Sequence, residues 1–275
     1  MSRTGSANTM PATASLPMYL ATPHHVESFW EHLRTLLATQ GLRHLPLHLS
    51  WPTDLPSHWL DPGLWLSQTC GYPLVTHLAG RVRLVGTFCY QVPGSIGHLC
   101  RSQLVARAKD RNQSLTDFRG GTVAYNSTNS QSGYNSLRAM VAPLAEGGRF
   151  FARAVASGSH LRSVELVRDG LADIASIDCV SLAGIQAHWP DSSTGLHVIG
   201  ESAPYPGLPL ITSAETSNAD LAALRAALEQ AVQSTAMAPT LQALFIRSFE
   251  AVDLAAYQVC LDMQDQALAL GYPSL

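Results

Sequence analysis

The stretch TVAYNSTNSQSGYNSLRAM, residues 122–140, decides how this chain is expected to fold. It begins with an apolar run typical of a buried strand and continues with a polar run rich in turn-forming residues. Residues 126–140 hold eight Ser, Thr or Asn residues and one Gly. Apolar residues then recur at helical spacing, at Tyr134, Leu137, Val141 and Leu144. A strand, a loop and a helix in this order are typical of an α/β protein.

Short strands alternate with helices on both sides of this stretch. The expected strands or extended segments are 15–20, 44–51, 64–68, 81–90, 102–108, 122–126, 150–156, 173–178, 195–204 and 208–214. The expected helices run from Pro23, after an N-cap at Thr22, to Gly41, then over about 72–79, 133–145 and 159–169, and over nearly all of the chain beyond about residue 217. This alternation predicts mostly parallel sheets covered by helices.

The order of these elements predicts two lobes. Extended segments near 91–102 and 198–208 separate two series of strands and helices and are the expected crossings between the lobes. The predicted division is a flexible tail over 1–14, lobe one over 15–94 and 205–275, and lobe two over 95–204. We expect a ligand cleft between the lobes, closing by a hinge motion at the crossings.

The start of the helix in the opening stretch is a predicted anion site. The first turn of a helix has backbone N–H groups without partners and carries the positive end of the helix dipole. Ser130, Gln131 and Ser132 add neutral donors, and Gly133 is expected to let a ligand approach the backbone. One serine is enough for an ordinary helix cap, which is the alternative interpretation. The repeated donors favour an oxyanion held without Lys or Arg, and the absence of GxxxxGK[ST] disfavours a nucleoside triphosphate.

Two further strand ends carry polar residues at the start of a helix. His160 follows Ser157, Gly158 and Ser159, and it either donates to the anion or is a partly exposed histidine without a role. Asp178 ends the apolar strand DIASID and is either a helix cap or a selective group. A buried carboxylate repels an anionic ligand unless the ligand has a proton to donate, in a strong hydrogen bond, or carries an ammonium group. In the second case the site admits hydrogen phosphate, phosphite or a phosphonate and rejects sulfate.

Composition excludes several classes of partner. The 275 residues carry a formal net charge of −3, with 17 basic and 20 acidic side chains, and the longest basic cluster is RAKDR at 107–111. Nucleic acids and anionic membranes are therefore not expected as partners. The five cysteines include no CxxC pair, which disfavours a disulfide framework and a cysteine zinc site. We predict no cofactor and no bound metal.

The N-terminal residues bear on localisation. MSRTGSANTMPATASLPMYL, the first twenty residues, contains no continuous apolar segment of about 7–15 residues, so no secretory signal is visible. No stretch approaches the roughly 20 apolar residues of a membrane span, so direct membrane insertion is not expected. Taken literally, this sequence predicts a cytoplasmic protein.

Four segments together resemble a known family. They are VAYNSTNSQSGYNSLR, ASGSHLRSVELVRDGLADIASIDCV, LSQTCGYPL and VGTFCYQVPG. With them the sequence resembles the phosphate/phosphite/phosphonate-binding components of ABC transporters, which are type II periplasmic binding proteins. The resemblance covers nearly all of residues 15–275. It implies a two-lobed fold and a solute-binding role with an ABC transporter permease as partner, in the periplasm.

The resemblance also implies roles for individual residues. The serine-rich turn and a histidine would hold the oxyanion, which points to Ser130, Ser132, Gly133, Tyr134 and His160. Tyrosines and an acidic residue would close the cleft, which points to Asp178, Tyr90 and Tyr72, with Tyr19 a weaker candidate. The roles of Gln68 and Cys70 are not fixed by the match. Relatives usually carry an acidic residue before the serines, where this chain has Asn126, Thr128 and Asn129.

Two other functions are compatible with the same residues. The absence of a visible leader fits a cytoplasmic relative that senses a ligand without a transporter. A hydrolytic enzyme would use Cys70 as nucleophile, or Ser132 with His160 and Asp178. The enzyme is disfavoured because no GxSxG motif is present and because Ser132 lies among equivalent donors, unlike a nucleophile with a dedicated base.

Overall fold

The computed structural model describes residues 12–19 and 23–275, with thirteen strands in this part of the chain. The strands are β1 (Thr13–Ser15), β2 (Leu64–Gln68), β3 (Val82–Tyr90), β4 (Ser95–Ile96), β5 (Leu99–Cys100), β6 (Ser102–Arg107), β7 (Thr122–Tyr125), β8 (Arg153–Ala156), β9 (Ile174–Asp178), β10 (Leu196–Glu201), β11 (Tyr205–Pro206), β12 (Pro209–Ser213) and β13 (Ile246–Glu250). They form two five-stranded sheets and one small three-stranded sheet.

Helices cover both five-stranded sheets. The α-helices are α1 (Pro23–Thr39), α2 (Leu55–Trp59), α3 (Gly71–Pro73), α4 (Ser136–Val141), α5 (His160–Arg168), α6 (Cys179–His188), α7 (Pro190–Ser193), α8 (Asn218–Gln233), α9 (Ala238–Ala243) and α10 (Gln258–Ala269). Two wider π-helical turns lie at Leu74–Leu78 and Gln131–Asn135. Short 3-10 turns lie at Ala108–Asp110, Leu115–Phe118, Ala142–Leu144, Thr235–Met237 and Leu254–Tyr257. Among the described residues, no helix has both the length and the apolar character needed to span a membrane.

The first sheet combines strands from both ends of the chain. Its order is β1-β2-β12-β3-β13, so strands before residue 91 alternate with strands after residue 208. Only β1 and β2 pair in parallel, and the other neighbours are antiparallel. Helix α1 packs against this sheet through Val26, Phe29, Trp30, Leu33 and Leu37, all buried at the helical spacing predicted from the sequence.

The second sheet places three polar strand ends side by side. Its order is β10-β6-β9-β7-β8, and β7 is parallel to both β8 and β9. Because parallel strands end at the same edge of a sheet, the residues that follow β7, β8 and β9 lie near one another. Strand β6 is antiparallel to β9 and to β10. Both large sheets are therefore mixed, whereas mostly parallel sheets were expected.

The chain passes between the two large sheets in the segments that follow β3 and β10. The small sheet, with order β11-β5-β4, is formed within these segments. The C-terminal end departs from the predicted lobe assignment, because Ala267 and Tyr272 pack into the second core with Leu137 and Phe150. Helix α10 therefore contacts both halves of the molecule.

Three sequence predictions of elements are corrected by the structure. Residues 44–51 form no strand, because His44 has a positive φ of 60° and Pro46 has no N–H to give to a sheet. The first strand lies at Thr13–Ser15, within and just beyond the predicted tail, and not at 15–20. The C-terminal region is interrupted by β13, which pairs with β3. The predicted N-cap Thr22 lies outside the described residues.

Candidate functional site

A cavity of about 520 Å³ lies between chain segments that belong to the two large sheets. We call its lining from the second-sheet side the polar face, formed by Asn126, Ser127, Asn129, Ser130, Ser132, Gly158, Ser159, His160, Asp178 and Ser181. We call the carbon-rich lining from the first-sheet side the apolar face, formed by Pro17, Met18, Tyr19, Leu55, Pro56, Trp59, Leu60, Pro73, Leu78 and Leu208. Cys70, His77 and Arg81 complete the lining.

The polar face is built around a short turn of π-helix. This serine turn comprises Ser130 and the π-helical residues Gln131–Asn135, which lead into α4. Ser130 is the N-cap, and its hydroxyl accepts a hydrogen bond from the Gly133 amide at 3.0 Å. The Asn135 amide donates to the Ser130 carbonyl five residues back, at 3.0 Å. Such π-helical turns widen a helix locally and occur often at functional sites.

A cluster of buried hydroxyls fixes the backbone of Ser132. The hydroxyls of Ser102, Ser136 and Ser176 donate to the Ser132 carbonyl at 3.0, 2.9 and 2.7 Å. The Tyr205 hydroxyl lies 2.7 Å from the Ser102 hydroxyl and extends the cluster. All four supporting side chains are buried. The position of the Ser132 side chain is therefore set by folding, before any ligand arrives.

Ser132 and His160 form a pair of neutral polar groups in the cavity lining. The Ser132 hydroxyl lies 2.9 Å from Nε2 of His160 and 3.3 Å from the Ser130 hydroxyl. Burial lowers the pKa of His160 to about 4, so the ring is neutral at pH 7. Its Nδ1 is buried and has no hydrogen-bond partner among the described residues. The polar face thus offers hydroxyl and imidazole groups without a fixed positive charge.

The backbone of the serine turn differs from the sequence prediction. The Gln131 amide donates to Sγ of Cys70 at 3.2 Å, and the Gly133 amide donates to Ser130, so both already have protein partners. The space beside the Gly133 Cα is also taken, because a Cβ there would lie 2.0 Å from Oδ1 of Asn126. Gly133 therefore accommodates the Asn126 side chain and does not open the backbone to a ligand.

Asp178 provides the carboxylate of the polar face. It ends β9 and caps α6, with Oδ1 accepting from the amides of Val180 and Ser181 at 2.9 and 3.0 Å. Its other oxygen, Oδ2, makes no hydrogen bond to any described residue. The side chain is only 4% exposed, and this burial raises its pKa to about 6 although the two amides act in the opposite direction. The predicted cap and the predicted carboxylate in the cavity are therefore the same residue.

Tyr19 reaches the cavity beside Asp178. Its hydroxyl is buried and has no hydrogen-bond partner within 3.5 Å among the described residues, yet it is near enough to lower the pKa of Asp178. The Tyr90 ring supports Tyr19 from behind, edge to face, with the ring centres 5.2 Å apart. The Tyr90 hydroxyl itself accepts from Nε2 of Gln68 at 3.2 Å, so Tyr90 holds Tyr19 and does not line the cavity.

Three other predicted contacts point away from the cavity. The Tyr134 ring packs against Tyr125, and its hydroxyl accepts from the Leu275 amide at 3.4 Å. The Gln131 amide side chain bonds Met263 and Asn135, beneath the serine turn. The Tyr72 hydroxyl donates to Oε1 of Gln264. Successive residues of the serine turn face different directions, so Ser130 and Ser132 meet the cavity while Gln131 and Tyr134 do not.

Some residues of the cavity lining were not predicted from the sequence as ligand contacts. Asn126 and Asn129 were noted as departures from the family pattern, and both line the cavity. The apolar face was missed because leucine and tryptophan side chains give the same sequence signal in a core and in a ligand pocket. No motif marks Leu55, Trp59 or Leu60.

The residues do not assemble a nucleophilic set in the described part of the chain. Ser132 and His160 are within hydrogen-bond distance, but no carboxylate orients the imidazole, because Nδ1 has no partner and Asp178 caps α6. Burial raises the pKa of Cys70, which keeps its thiol protonated. Among the described residues, no three His, Cys, Asp or Glu side chains are grouped as a metal site requires.

The comparison with protein families decides the identity. Residues 91–257 match the family described as ABC transporter, phosphonate, periplasmic substrate-binding protein. The chain belongs to this family. Membership of the phosphonate-binding family confirms the predicted solute-binding role. The family is one of transport proteins and not of enzymes.

Solved structures show how the phosphonate-binding family member is folded. A binding component of an ABC phosphonate transporter from Pseudomonas aeruginosa is 18% identical, with a TM-score of 0.72 over 94% of this chain and 89% of that chain. PhnD1 of Prochlorococcus marinus, in complex with methylphosphonate, is 12% identical, with a TM-score of 0.72 over 93% and 97%. A Xanthomonas citri protein bound to ATP is 16% identical, with a TM-score of 0.70 over 95% and 98%. A comparison with curated proteins finds no match.

These likenesses confirm the predicted type II periplasmic binding protein fold. The two faces of the cavity differ in whether the family match covers them. Every residue of the polar face lies within 91–257, whereas the apolar face, except Leu208, comes from residues 17–78. The family match therefore covers the whole polar face and, of the apolar face, only Leu208.

Proposed function

We propose that this protein captures a small phosphorus oxyanion, namely phosphate, phosphite or a phosphonate, and delivers it to an ABC transporter. The observation that carries the proposal is the pairing of neutral donors with one carboxylate in the same cavity. Ser130, Ser132 and His160 supply polar groups for the anion oxygens. The helix-capping bonds of Asp178 use only Oδ1, and the Tyr19 hydroxyl lies near the same carboxylate. No other group of the polar face carries a full charge at pH 7.

The carboxylate supplies the selectivity. At pH 7, above its pKa of about 6, Asp178 is mostly ionised and repels an anion that has no proton to donate. Hydrogen phosphate and the monoanions of phosphonates and of phosphate monoesters carry an O–H group that can donate to Oδ2 in a strong charge-assisted hydrogen bond. Sulfate has no such proton at this pH. The site therefore favours phosphorus oxyanions over sulfate.

The comparisons support this ligand class. The family description names phosphonate, PhnD1 is in complex with methylphosphonate, and the Xanthomonas citri protein is bound to ATP, which also carries phosphoryl oxygens. We place the protein in the periplasm with a permease as its partner, because the family is periplasmic and belongs to ABC transporters.

Isothermal titration with phosphate, phosphite, methylphosphonate and sulfate tests the proposal. We expect at least one phosphorus oxyanion to bind and sulfate to bind at least tenfold more weakly. Asp178→Asn is expected to reduce this difference, because an amide can donate to sulfate while a carboxylate cannot. Sulfate affinity equal to that of every phosphorus oxyanion in the parent protein would refute the role of Asp178.

A matched pair of caps separates ligand binding from helix stability. Ser130 accepts from the Gly133 amide at 3.0 Å, and Ser217 accepts from the Asp220 amide at 3.0 Å at the start of α8, outside the cavity. Each Ser→Ala change is expected to cost about 1 kcal/mol of stability. Only Ser130→Ala is expected to weaken oxyanion binding, by about fivefold to a hundredfold. Equal affinity in the two variants would show that the serine turn is only a cap.

A further inference from the structure

The cavity is larger than a bare oxyanion requires. Its volume of about 520 Å³ lies in the range of about 300–1,000 Å³ that pockets for drug-sized organic ligands have. A tetrahedral oxyanion has five heavy atoms, and its volume is only a few times the roughly 30 Å³ of one water molecule. Most of the cavity is therefore left for another part of the ligand.

The remaining lining is carbon surface with fixed positions. Leu55 and Leu60 flank Trp59 on and just after α2, and all three line the cavity. The indole N–H of Trp59 donates to the Gln68 carbonyl at 2.9 Å, so the ring is held in place. Leu55, Leu60 and Met18 are partly buried against the core cluster that contains Trp59. Their remaining carbon surface would be covered by an apolar group of a ligand.

The charges of the lining disfavour a cationic substituent against the apolar face. Asp178 is the only carboxylate among the lining residues, and it belongs to the polar face. Arg81 is the one arginine of the lining, and it is exposed and forms no ion pair with any described residue. An ammonium group packed against Leu55, Trp59 and Leu60 would lose its hydration there, and the lining residues 55–60 hold no carboxylate to replace it.

We infer that the ligand is a phosphorus monoester or phosphonate with an uncharged, apolar alkyl or aryl substituent. The inference rests on the proposed function and names the ligand class of the same site. The phosphoryl oxygens face Ser130, Ser132 and Asp178, and the substituent lies against Leu55, Trp59 and Leu60. Organic phosphonates and phosphate monoesters share this chemistry and differ only in the atom that joins the substituent to phosphorus.

A series of phosphonates tests the substituent by titration calorimetry. From methyl- to propyl- to butylphosphonate we expect the affinity to rise about fourfold for each methylene buried. Propylphosphonate and 2-aminoethylphosphonate have the same number of heavy atoms, and we expect the propyl compound to bind at least tenfold more tightly. Affinity that does not rise with chain length, or tighter binding of the amino compound, would overturn the inference. Tighter binding of 3-phosphonopropionate than of butylphosphonate would also overturn it, by assigning an anionic substituent to Arg81.

Further titrations distinguish a phosphate ester from a phosphonate, and failure of the inference from failure of the proposed function. Comparison of propyl phosphate with butylphosphonate, which match in length, shows whether the natural ligand is an ester or a phosphonate, and tight binding of either supports the inference. If phosphate, phosphite and every phosphonate fail to bind, the proposed function itself is wrong. If methyl- and butylphosphonate bind equally well, the proposed function stands and only the inference fails.

A substitution in the apolar face gives an independent test. Leu55 is the first residue of α2, where an acidic side chain is compatible with the helix dipole. Leu55→Asp is expected to weaken propylphosphonate at least tenfold, strengthen 2-aminoethylphosphonate, and change methylphosphonate by less than threefold. Leu47→Asp is the control, because Leu47 is 60% exposed and does not line the cavity. An unchanged propyl-to-aminoethyl ratio in a folded Leu55→Asp protein would contradict the inference.

Discussion

Asp178 and His160 are buried ionisable residues whose pKa values shift in opposite directions. Burial raises the pKa of Asp178 from 3.8 to about 6, so the folded protein binds this proton more tightly than the unfolded chain does. Its contribution to stability is therefore present below pH 4 and is lost as the pH rises to about 6. Burial lowers the pKa of His160 from 6.5 to about 4, so its effect on stability has the opposite sign in the same pH range.

Asp178→Asn is expected to stabilise the ligand-free protein at pH 7 by up to about 3 kcal/mol. The magnitude follows from the pKa change of Asp178 at about 1.4 kcal/mol per unit, and asparagine keeps an acceptor for the Val180 and Ser181 amides. The variant should also gain stability as the pH rises from 4 to 6.5. Over this range His160 loses its proton in the unfolded chain, which favours folding, and the opposing loss of the Asp178 proton no longer occurs. Urea unfolding between pH 4 and pH 8 measures both effects.

The control for this prediction is Asp253→Asn. Asp253 also caps a turn, by accepting from the Ala256 amide at 3.2 Å, but it is exposed. Its replacement is expected to change stability by less than about 0.5 kcal/mol at any pH. A parent protein and an Asp178→Asn variant with the same pH profile would show that the carboxylate is not desolvated.

Single residues of the polar face were predictable because their positions are set locally. Ser130, Ser132 and His160 follow strands of the second sheet and Asp178 ends one, and parallel strands bring such residues to one edge. The directions of Tyr134 and Tyr72 were not predictable. Each depends on a partner far along the chain, Leu275 for Tyr134 and Gln264 for Tyr72.

Within the serine turn, position 133 has room only for glycine. A Cβ there would lie 2.0 Å from Oδ1 of Asn126 and 3.3 Å from Cε1 of His160. Gly133→Ala is therefore expected to displace the Asn126 side chain, destabilise the protein by about 1–3 kcal/mol and weaken ligand binding at least tenfold. Chemical unfolding and titration calorimetry measure the two effects.

Two further variants test whether the effect of Gly133→Ala comes from the contact with Asn126. Gly200→Ala is the control, because the nearest heavy atom to its added Cβ is Leu104 Cδ1 at 3.5 Å, an ordinary contact. The double variant Gly133→Ala with Asn126→Ala removes the clash and is expected to recover most of the lost stability. If Gly133→Ala alone is as stable as the parent, the contact with Asn126 does not explain the glycine.

Elements whose pairing is local were predicted well, and elements fixed by distant partners were not. The helix α1 follows from its own apolar spacing, and five predicted positions are buried. The segment 44–51 has apolar residues at strand spacing but forms no strand, and its hydrogen bonds to β1 are limited to those of Ser50 to the Ala14 carbonyl. Strand β13 is the opposite case, since IRSFE gives a weak signal and its pairing with β3 joins residues more than 150 positions apart.

At the scale of the whole molecule, the C-terminal region links the two sheets. Cys260 and Met263 of α10 contact the serine turn through Asn135 and Gln131. Tyr272, 2% exposed, packs into the second core. The serine turn is thus held by helix α10, which follows strand β13 of the first sheet.

Tyr272→Ala is expected to destabilise the protein by about 3–5 kcal/mol, the cost of removing a large buried aromatic side chain. Trp189→Ala is the control, because Trp189 is among the exposed large side chains and its loss is expected to cost less than about 1 kcal/mol. Urea unfolding of both variants measures the difference. Comparable stability of the two variants would mean that the C-terminal residues do not anchor the second core.

The two faces of the cavity also differ in how far the sequence predicts them. The polar face carries a recognisable order of motifs within residues 91–257. The apolar face is assembled from residues within 17–19, 55–60 and 73–78 and from Leu208, which approach one another only in the folded chain. Leucine, proline and tryptophan at these positions have no local signature that separates a pocket wall from a core.

The hydroxyl cluster around the Ser132 carbonyl has a consequence for binding kinetics. Because these hydrogen bonds form when the chain folds, the ligand meets donors whose conformational freedom has already been lost. Recognition then requires little reordering of the serine turn, and encounter rates are expected to vary little among related ligands. The lifetime of the complex, more than the frequency of collision, will distinguish one solute from another.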